Sequence, residues 1–175
     1  MYEIAKQFDF CYGHRVWNQE LKEQYSLDSS CACRHLHGHQ GTIIIYLQAR
    51  ELEKGMVTDF KHLNWFKKWL DETLDHKFIM DMNDPLRHFE VPAAHNVEFI
   101  FNPGFNYFYL QRLEHLPKYL IEKYEGLVFV PFVPTSENIC KWFYDIVQKK
   151  MKPLSIKVSR IQFFETPKSQ SNYIP

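Results

Sequence analysis

The stretch HGHQGTIIIYLQA, His37 to Ala49, limits what this chain can fold into more than any other. Its second part, Gly41 to Ala49, is a continuous run with β-branched residues, the pattern of a strand buried on both faces. Extended backbone just before that run has a chemical consequence, because residues two apart point to the same side of a strand. His37 and His39 therefore present two imidazoles on one face, and Gly38 between them permits close backbone packing. Two imidazoles can grip one ion when a third ligand comes from a neighbouring strand. His14 is the candidate, since it stands at the exit of an earlier strand, Tyr2 to Tyr12, that ends at Gly13. The two strands are expected to form an antiparallel pair.

Around this pair the chain reads as α+β. A polar loop runs from the first strand to Ser30. Gly55 marks a turn, and Asp59 can cap a helix in which Phe60, Leu63, Phe66 and Leu70 recur at helical spacing up to Leu74-Asp75-His76. Thr135 or Ser136 can cap a second helix with Ile139, Trp142, Phe143 and Ile146 on one stripe. A strand from Ile156 to Glu165 follows, with a short last strand around Asn172 to Ile174. Residues 80–133 interrupt this plan with Pro85, Pro92, Pro103, Pro117 and Pro131, so they cannot be one long helix. They are read as a subdomain inserted into a single domain spanning 1–175, with a helix expected near Asn106 to Tyr124.

Composition removes several classes of function. The chain has 175 residues, enough for a real core, and 45% hydrophobic with 24% charged residues is the mixture of a soluble globular protein. Its 21 basic and 21 acidic residues balance, so no overall field favours nucleic acid or an anionic membrane. MYEIAKQFDF lacks the features of a secretory signal, and no apolar run approaches the roughly 20 residues that span a bilayer. A cytoplasmic location is expected, in which Cys11, Cys31, Cys33 and Cys140 stay thiols unless a metal takes them.

Three neutral imidazoles leave a tetrahedral Zn2+ with an open fourth position, the catalytic arrangement. The alternative is that Cys31 and Cys33 complete a closed Cys2His2 site. C-x-C followed by H-x-H matches no common zinc-finger spacing, which favours the open site without excluding the closed one.

Several fragments occur in order: His14 at a strand exit, Cys33-Arg34-His35-Leu36-His37-Gly38-His39, Gly55-Met56-Val57-Thr58-Asp59-Phe60, Leu74-Asp75-His76, Pro134-Thr135-Ser136-Glu137-Asn138 and Phe164-Glu165-Thr166. Together they resemble the family of 6-pyruvoyltetrahydropterin and 6-carboxytetrahydropterin synthases. The C-x3-H-G-H spacing and the G-M-V-x-D-F block are closer to the bacterial 6-carboxy-5,6,7,8-tetrahydropterin synthases of queuosine biosynthesis. Two features depart from the family pattern. The connection between the LDH and PTSE blocks is long, 57 residues from Lys77 to Val133, and the first block reads CYGH where AAH is common.

The resemblance implies a tunnelling fold, a four-stranded antiparallel sheet with two helices on one face, assembled as a homo-oligomeric barrel (trimer or hexamer) with active sites between subunits. It implies a zinc-dependent lyase that converts 7,8-dihydroneopterin triphosphate to 6-carboxy-5,6,7,8-tetrahydropterin, releasing acetaldehyde and triphosphate. The alternatives are a 6-pyruvoyltetrahydropterin synthase or related side-chain lyase, and a non-catalytic zinc and pterin-binding module.

Roles follow residue by residue. His14, His37 and His39 match the zinc ligands and Cys33 the catalytic cysteine, whose bland alternative is a buried thiol or fourth ligand. Asp75 and His76 match a proton-relaying pair, although LDH at a helix end is otherwise an ordinary C-terminal histidine. Glu165 shares a strand face with Ile161 and Phe163, and in the family this glutamate anchors the pterin and joins the proton relay. Thr135, Ser136 and Glu137 are expected to frame the ring, which helix capping explains nearly as well. Cys31, His35 and Cys140 match no role, and Arg15, Arg34 and Lys77 are candidates for the triphosphate only by proximity.

Overall fold

The computed structural model describes residues 1–26 and 31–175, so the last part of the polar loop that runs to Ser30 lies outside the described residues. The chain divides into two compact units. The first comprises Met1–Cys11, His39–Asp75 and Ser136–Pro175, and the second Tyr12–Gly38 and His76–Thr135. Two long strands, β1 (Tyr2–His14) and β2 (His37–Ala49), have residues in both.

In the first unit β2 pairs antiparallel with β7 (Lys157–Thr166), and β7 pairs antiparallel with β8 (Ser169–Tyr173). The expected last strand is thus present and begins earlier. Burial along β2 alternates: Ile43, Ile45 and Leu47 are fully buried, while Thr42, Ile44 and Tyr46 are half-buried. The expectation of burial on both faces is corrected here. Aromatic side chains of α1 (Asn64–Thr73) and α4 (Ser136–Met151) form one cluster with those of β1 and β7. Phe8 stands edge-on to Phe66, Phe10 to Phe143, Phe143 to Phe163 and Trp69 to Trp142, at 5.3 to 6.0 Å between ring centroids. Such offset geometry adds to the area term, which is about 1.5–3 kcal/mol for each fully buried large side chain.

The helix stripes are those the spacing predicts, with one correction. Ile139, Trp142, Phe143 and Ile146 of α4 are buried, as are Leu63, Phe66 and Leu70. Phe60 is exposed because the segment Phe60–Leu63 winds as a 3-10 turn ahead of α1 and does not continue the stripe. Asp59 caps that turn, accepting the Lys61 N–H at 2.7 Å.

In the second unit β3 (Lys77–Asp81) runs parallel to the end of β1, with His14 opposite Ile79, and parallel to β6 (Leu127–Val130). β5 (Tyr107–Gln111) lies antiparallel to β6 and to β4 (Glu98–Asn102). Two further helices, α2 (Arg87–Glu90) and α3 (Lys118–Glu125), complete the unit. Met80, Val91, Leu110, Tyr124 and Phe129 form its buried cluster.

The helix expected over Asn106 to Tyr124 is corrected to strand β5 followed by α3. YFYLQ favours a pleated surface, Asn106 and Arg112 take left-handed φ values of 54° and 59°, and Pro117 stands at the N-cap of α3. The turn between β4 and β5 is held by the Asn102 side chain, which accepts the Gly104 N–H at 3.0 Å.

The hydrogen-bonded order is β4-β5-β6-β3-β1-β2-β7-β8, one mixed sheet of 8 strands. The four strands expected from the sequence are β1, β2, β7 and β8, and four more accompany them. The additional ones arise because Lys77–Asp81 pairs with the end of β1 on one side and with Leu127–Val130 on the other, and β5 and β4 follow beyond β6.

Candidate metal centre and its surroundings

His14, the last residue of β1, is buried. Its Nδ1 lies 2.6 Å from the carbonyl oxygen of Pro134. A carbonyl can only accept, so Nδ1 carries the proton, and in the neutral ring Nε2 is the nitrogen with the lone pair. His37 is held the same way, Nδ1 donating to the His35 carbonyl at 2.7 Å, and its ring centroid is 4.6 Å from that of His14. His39 follows two positions later on β2. Each of the three offers one ligand atom, and those atoms all lie within 4.8 Å of one another. Among the described residues this metal-ligating group contains His14, His37 and His39 and neither Cys31 nor Cys33.

The donor set fits a divalent transition metal of the zinc type. Imidazoles suit that ion, and Nδ1–H bonds to carbonyls are the usual second layer that fixes the tautomer and aims Nε2. Close backbone approach supports the geometry. A Cβ at Gly38 would sit 3.2 Å from the Tyr12 carbonyl oxygen, and one at Gly13 only 2.6 Å from Cδ2 of Phe78.

The other predicted residues are placed as follows. Glu165 is half-buried, in a register irregularity of β7, and its Oε1 lies 3.9 Å from His39 Nε2, close but too long for a hydrogen bond. Asp75 accepts the Cys11 N–H on Oδ1 at 2.7 Å. His76 is exposed, with a left-handed φ of 58°, a backbone state that non-glycine residues seldom hold without cause. Cys33 is half-buried in the 3-10 turn Ala32–Arg34, and its carbonyl accepts the Val16 N–H at 2.8 Å. Ser136 opens α4 with its hydroxyl 2.6 Å from that of Ser171, the Thr135 N–H donates to the Val133 carbonyl at 2.8 Å, and Glu137 is exposed.

Cys140 is a core residue, as its position on the helix suggests. Its thiol donates to the Ile161 carbonyl at 3.3 Å, and burial pushes its pKa up to about 11. The three cations near the motifs are engaged within the chain. Arg15 grips Asp84, Arg34 Nη1 donates to the Gln19 carbonyl at 3.3 Å, and Lys77 Nζ donates to the Glu125 carbonyl at 2.7 Å. Sequence reasoning missed the groups that aim the histidines, the carbonyls of Pro134 and His35, because a backbone carbonyl leaves no residue-type signal.

The profile of the 6-pyruvoyl tetrahydropterin synthase family matches residues 3–174. The chain belongs to this family. A 6-carboxy-5,6,7,8-tetrahydropterin synthase of Aquifex aeolicus is 31% identical, over 98% of this chain and 97% of the relative. A protein of the same name from Rickettsia typhi is 34% identical over 48% of this chain and 55% of its own length. Among solved structures, an uncharacterized protein from Wolinella succinogenes superposes with a TM-score of 0.94 at 48% identity, covering 99% of this chain and 97% of the other. The Plasmodium vivax 6-pyruvoyltetrahydropterin synthase shares the fold at a TM-score of 0.59 and 16% identity, over 98% and 96% of the two chains. Family membership makes the protein a pterin-processing lyase. Among the described residues no helix is long and apolar enough to cross a membrane.

Proposed function

We propose that this protein is a 6-carboxy-5,6,7,8-tetrahydropterin synthase, acting on 7,8-dihydroneopterin triphosphate with release of acetaldehyde and triphosphate. The observation that carries the reading is the trio His14, His37 and His39, whose ligand atoms lie within 4.8 Å of one another in a family of pterin synthases. The product assignment follows the name of the Aquifex relative, which aligns over nearly the whole chain. The same relationship supports a place in queuosine biosynthesis, a cytoplasmic location and assembly as a trimer or hexamer in the tunnelling fold, with residues 80–133 as an inserted subdomain.

Zinc held by His14, His37 and His39 would supply a Lewis acid for the oxygens of the substrate side chain. Cys33 takes a proton from a hydroxyl-bearing side-chain carbon as the base. His76 carries protons to and from the substrate, oriented by Asp75. Glu165 accepts the paired N–H donors of the pterin ring, a bidentate match that sets the side chain toward the metal ligands, with Thr135, Ser136 and Glu137 framing the ring.

The test is incubation of the zinc-loaded protein with dihydroneopterin triphosphate, followed by product mass and an acetaldehyde assay. Stoichiometric acetaldehyde with the carboxy product is expected. A pyruvoyl or hydroxymethyl pterin would move the assignment to a sister activity, and binding without turnover would make the protein a binding module.

A further inference from the structure

Arg15 follows His14 directly and is clamped by the insertion. Its Nε donates to Asp84 Oδ2 at 2.7 Å and its Nη2 to Oδ1 at 2.9 Å. The Asp84 side chain is only 1% exposed, and Oδ1 also accepts the Leu86 N–H at 2.8 Å. On its other side the guanidinium donates through Nη1 to the Arg34 carbonyl at 3.4 Å. The next residue, Val16, donates its N–H to the Cys33 carbonyl at 2.8 Å. One position on, the Trp17 indole N–H donates to Asp81 Oδ2 at 2.9 Å, while Asp81 Oδ1 accepts the Asn83 N–H at 2.9 Å. The segment Arg15 to Trp17 is thus bonded to two buried carboxylates of the insertion and to the carbonyls of the Cys33 turn. All of these residues belong to the second unit.

A buried carboxylate is costly to desolvate, and apolar residues of similar volume often stabilise a site as well as a buried ion pair does. What apolar packing cannot supply is direction. The bidentate fork fixes the plane of the guanidinium and hence where its third nitrogen points. We propose that Asp84, acting through Arg15, is a positioning residue that sets the placement of the turn carrying Cys33. The insertion then has a role in the reaction although none of its carboxylates reaches substrate. The proposal rests on the reading of Cys33 as the base.

Asp84→Asn and Arg15→Lys both break the fork, and Arg15→Lys keeps the positive charge beside Asp84 should Asp84→Asn fail to fold. In the folded, zinc-loaded variants kcat is expected to fall about 10- to 100-fold while KM stays within about threefold, because a misplaced group costs rate and not ground-state binding. Alkylation of Cys33, followed by peptide mass, should quicken about tenfold as the turn opens locally. Zinc content should not change. Glu90→Gln removes another ion pair of the insertion, Lys123 to Glu90 at 2.8 Å, and should move neither readout.

Unchanged Cys33 alkylation, unchanged kcat, or the same changes in Glu90→Gln would each overturn the proposal. The base assignment is judged separately by Cys33→Ala. Full turnover in that variant removes Cys33 from the chemistry, while the alkylation rates still decide whether Asp84 positions the turn.

Discussion

Gly13→Ala isolates a packing constraint beside the proposed zinc site. Gly13 does not have a positive φ, so alanine can adopt its backbone, and the cost comes from space alone. The new methyl would lie 2.6 Å from Cδ2 and 3.2 Å from Cε2 of Phe78, and 3.3 Å from the His37 carbonyl oxygen. Carbon atoms settle at about 3.5–4.0 Å, so the ring must retreat by about 1 Å. Phe78 packs on the cluster of Met80, Val91, Leu110, Tyr124 and Phe129, which limits that retreat. Overpacking of this kind costs about 1–3 kcal/mol, against about 0.4–1 kcal/mol gained from a stiffer unfolded chain. The clash therefore wins, and at about 2–4 °C per kcal/mol for a chain of this length Tm should fall by several degrees. The measurement belongs on metal-stripped protein, so that zinc linkage does not enter. A cycle with Phe78→Ala checks the cause: removing the ring removes the clash, so the double variant should be more stable than additivity predicts by about 1 kcal/mol or more. Additivity to within about 0.5 kcal/mol, or a Gly13→Ala protein as stable as the parent, would refute the reasoning. Zinc affinity should fall about tenfold in parallel, because His14 and the His37 carbonyl flank the methyl.

Three further outcomes are expected. His37→Ala and His39→Ala should lose bound zinc, and a chelator should lower Tm of the parent but not of these variants, since zinc at 100 times its Kd contributes about 2.7 kcal/mol. A parent that binds no zinc ends the three-histidine reading. Cys33→Ala should keep the zinc and lose turnover by a factor of about 10² to 10⁴, and an active variant would exclude it as the base. The Cys140 thiol, pushed up to about 11, should resist alkylation at neutral pH in the native protein and react once denaturant is added. Because the folded chain favours its neutral form, its contribution to stability is complete below the ordinary thiol range and disappears as pH rises through about 11. Cys140→Ala should remove that part of the alkaline fall in an unfolding titration.

The parts of the fold legible in the sequence are those whose pattern is local. Ile139, Trp142, Phe143 and Ile146 announce α4 through a period that packing then satisfies, and Asp59 announces its cap through a side chain that can reach only nearby N–H groups. Tyr107–Gln111 was not legible as a strand, because a five-residue aromatic segment reads equally as one side of a helix until a partner is known. Its partners, Glu98–Asn102 and Phe129, are set by a turn at Asn102-Pro103-Gly104 and by a strand that lies beyond α3 in the chain. Parallel pairing of Lys77–Asp81 with both the end of β1 and Leu127–Val130 is a long-range choice that no local period encodes.

The site divides along the same physical line. Its candidate ligands could be named from sequence because three imidazoles in an H-x-H and a strand exit are chemically conspicuous. The groups that make them usable are not, since any residue could have supplied the carbonyls now given by Pro134 and His35. Without those carbonyls the rings of His14 and His37 would divide themselves between two tautomers, and the one protonated on Nε2 could not ligate an ion. Asp84 lies between these extremes. An aspartate followed by proline reads as a turn, and Asp84 does accept the Leu86 N–H, yet both of its oxygens also accept from Arg15, 69 positions away. A residue that satisfies a local rule and a distant one at once shows only the local one in the sequence. Substitution separates the two, because asparagine keeps the turn and loses the bidentate ion pair with Arg15. Asp84→Asn should therefore preserve the turn from Asp84 to Leu86 while releasing the turn that carries Cys33.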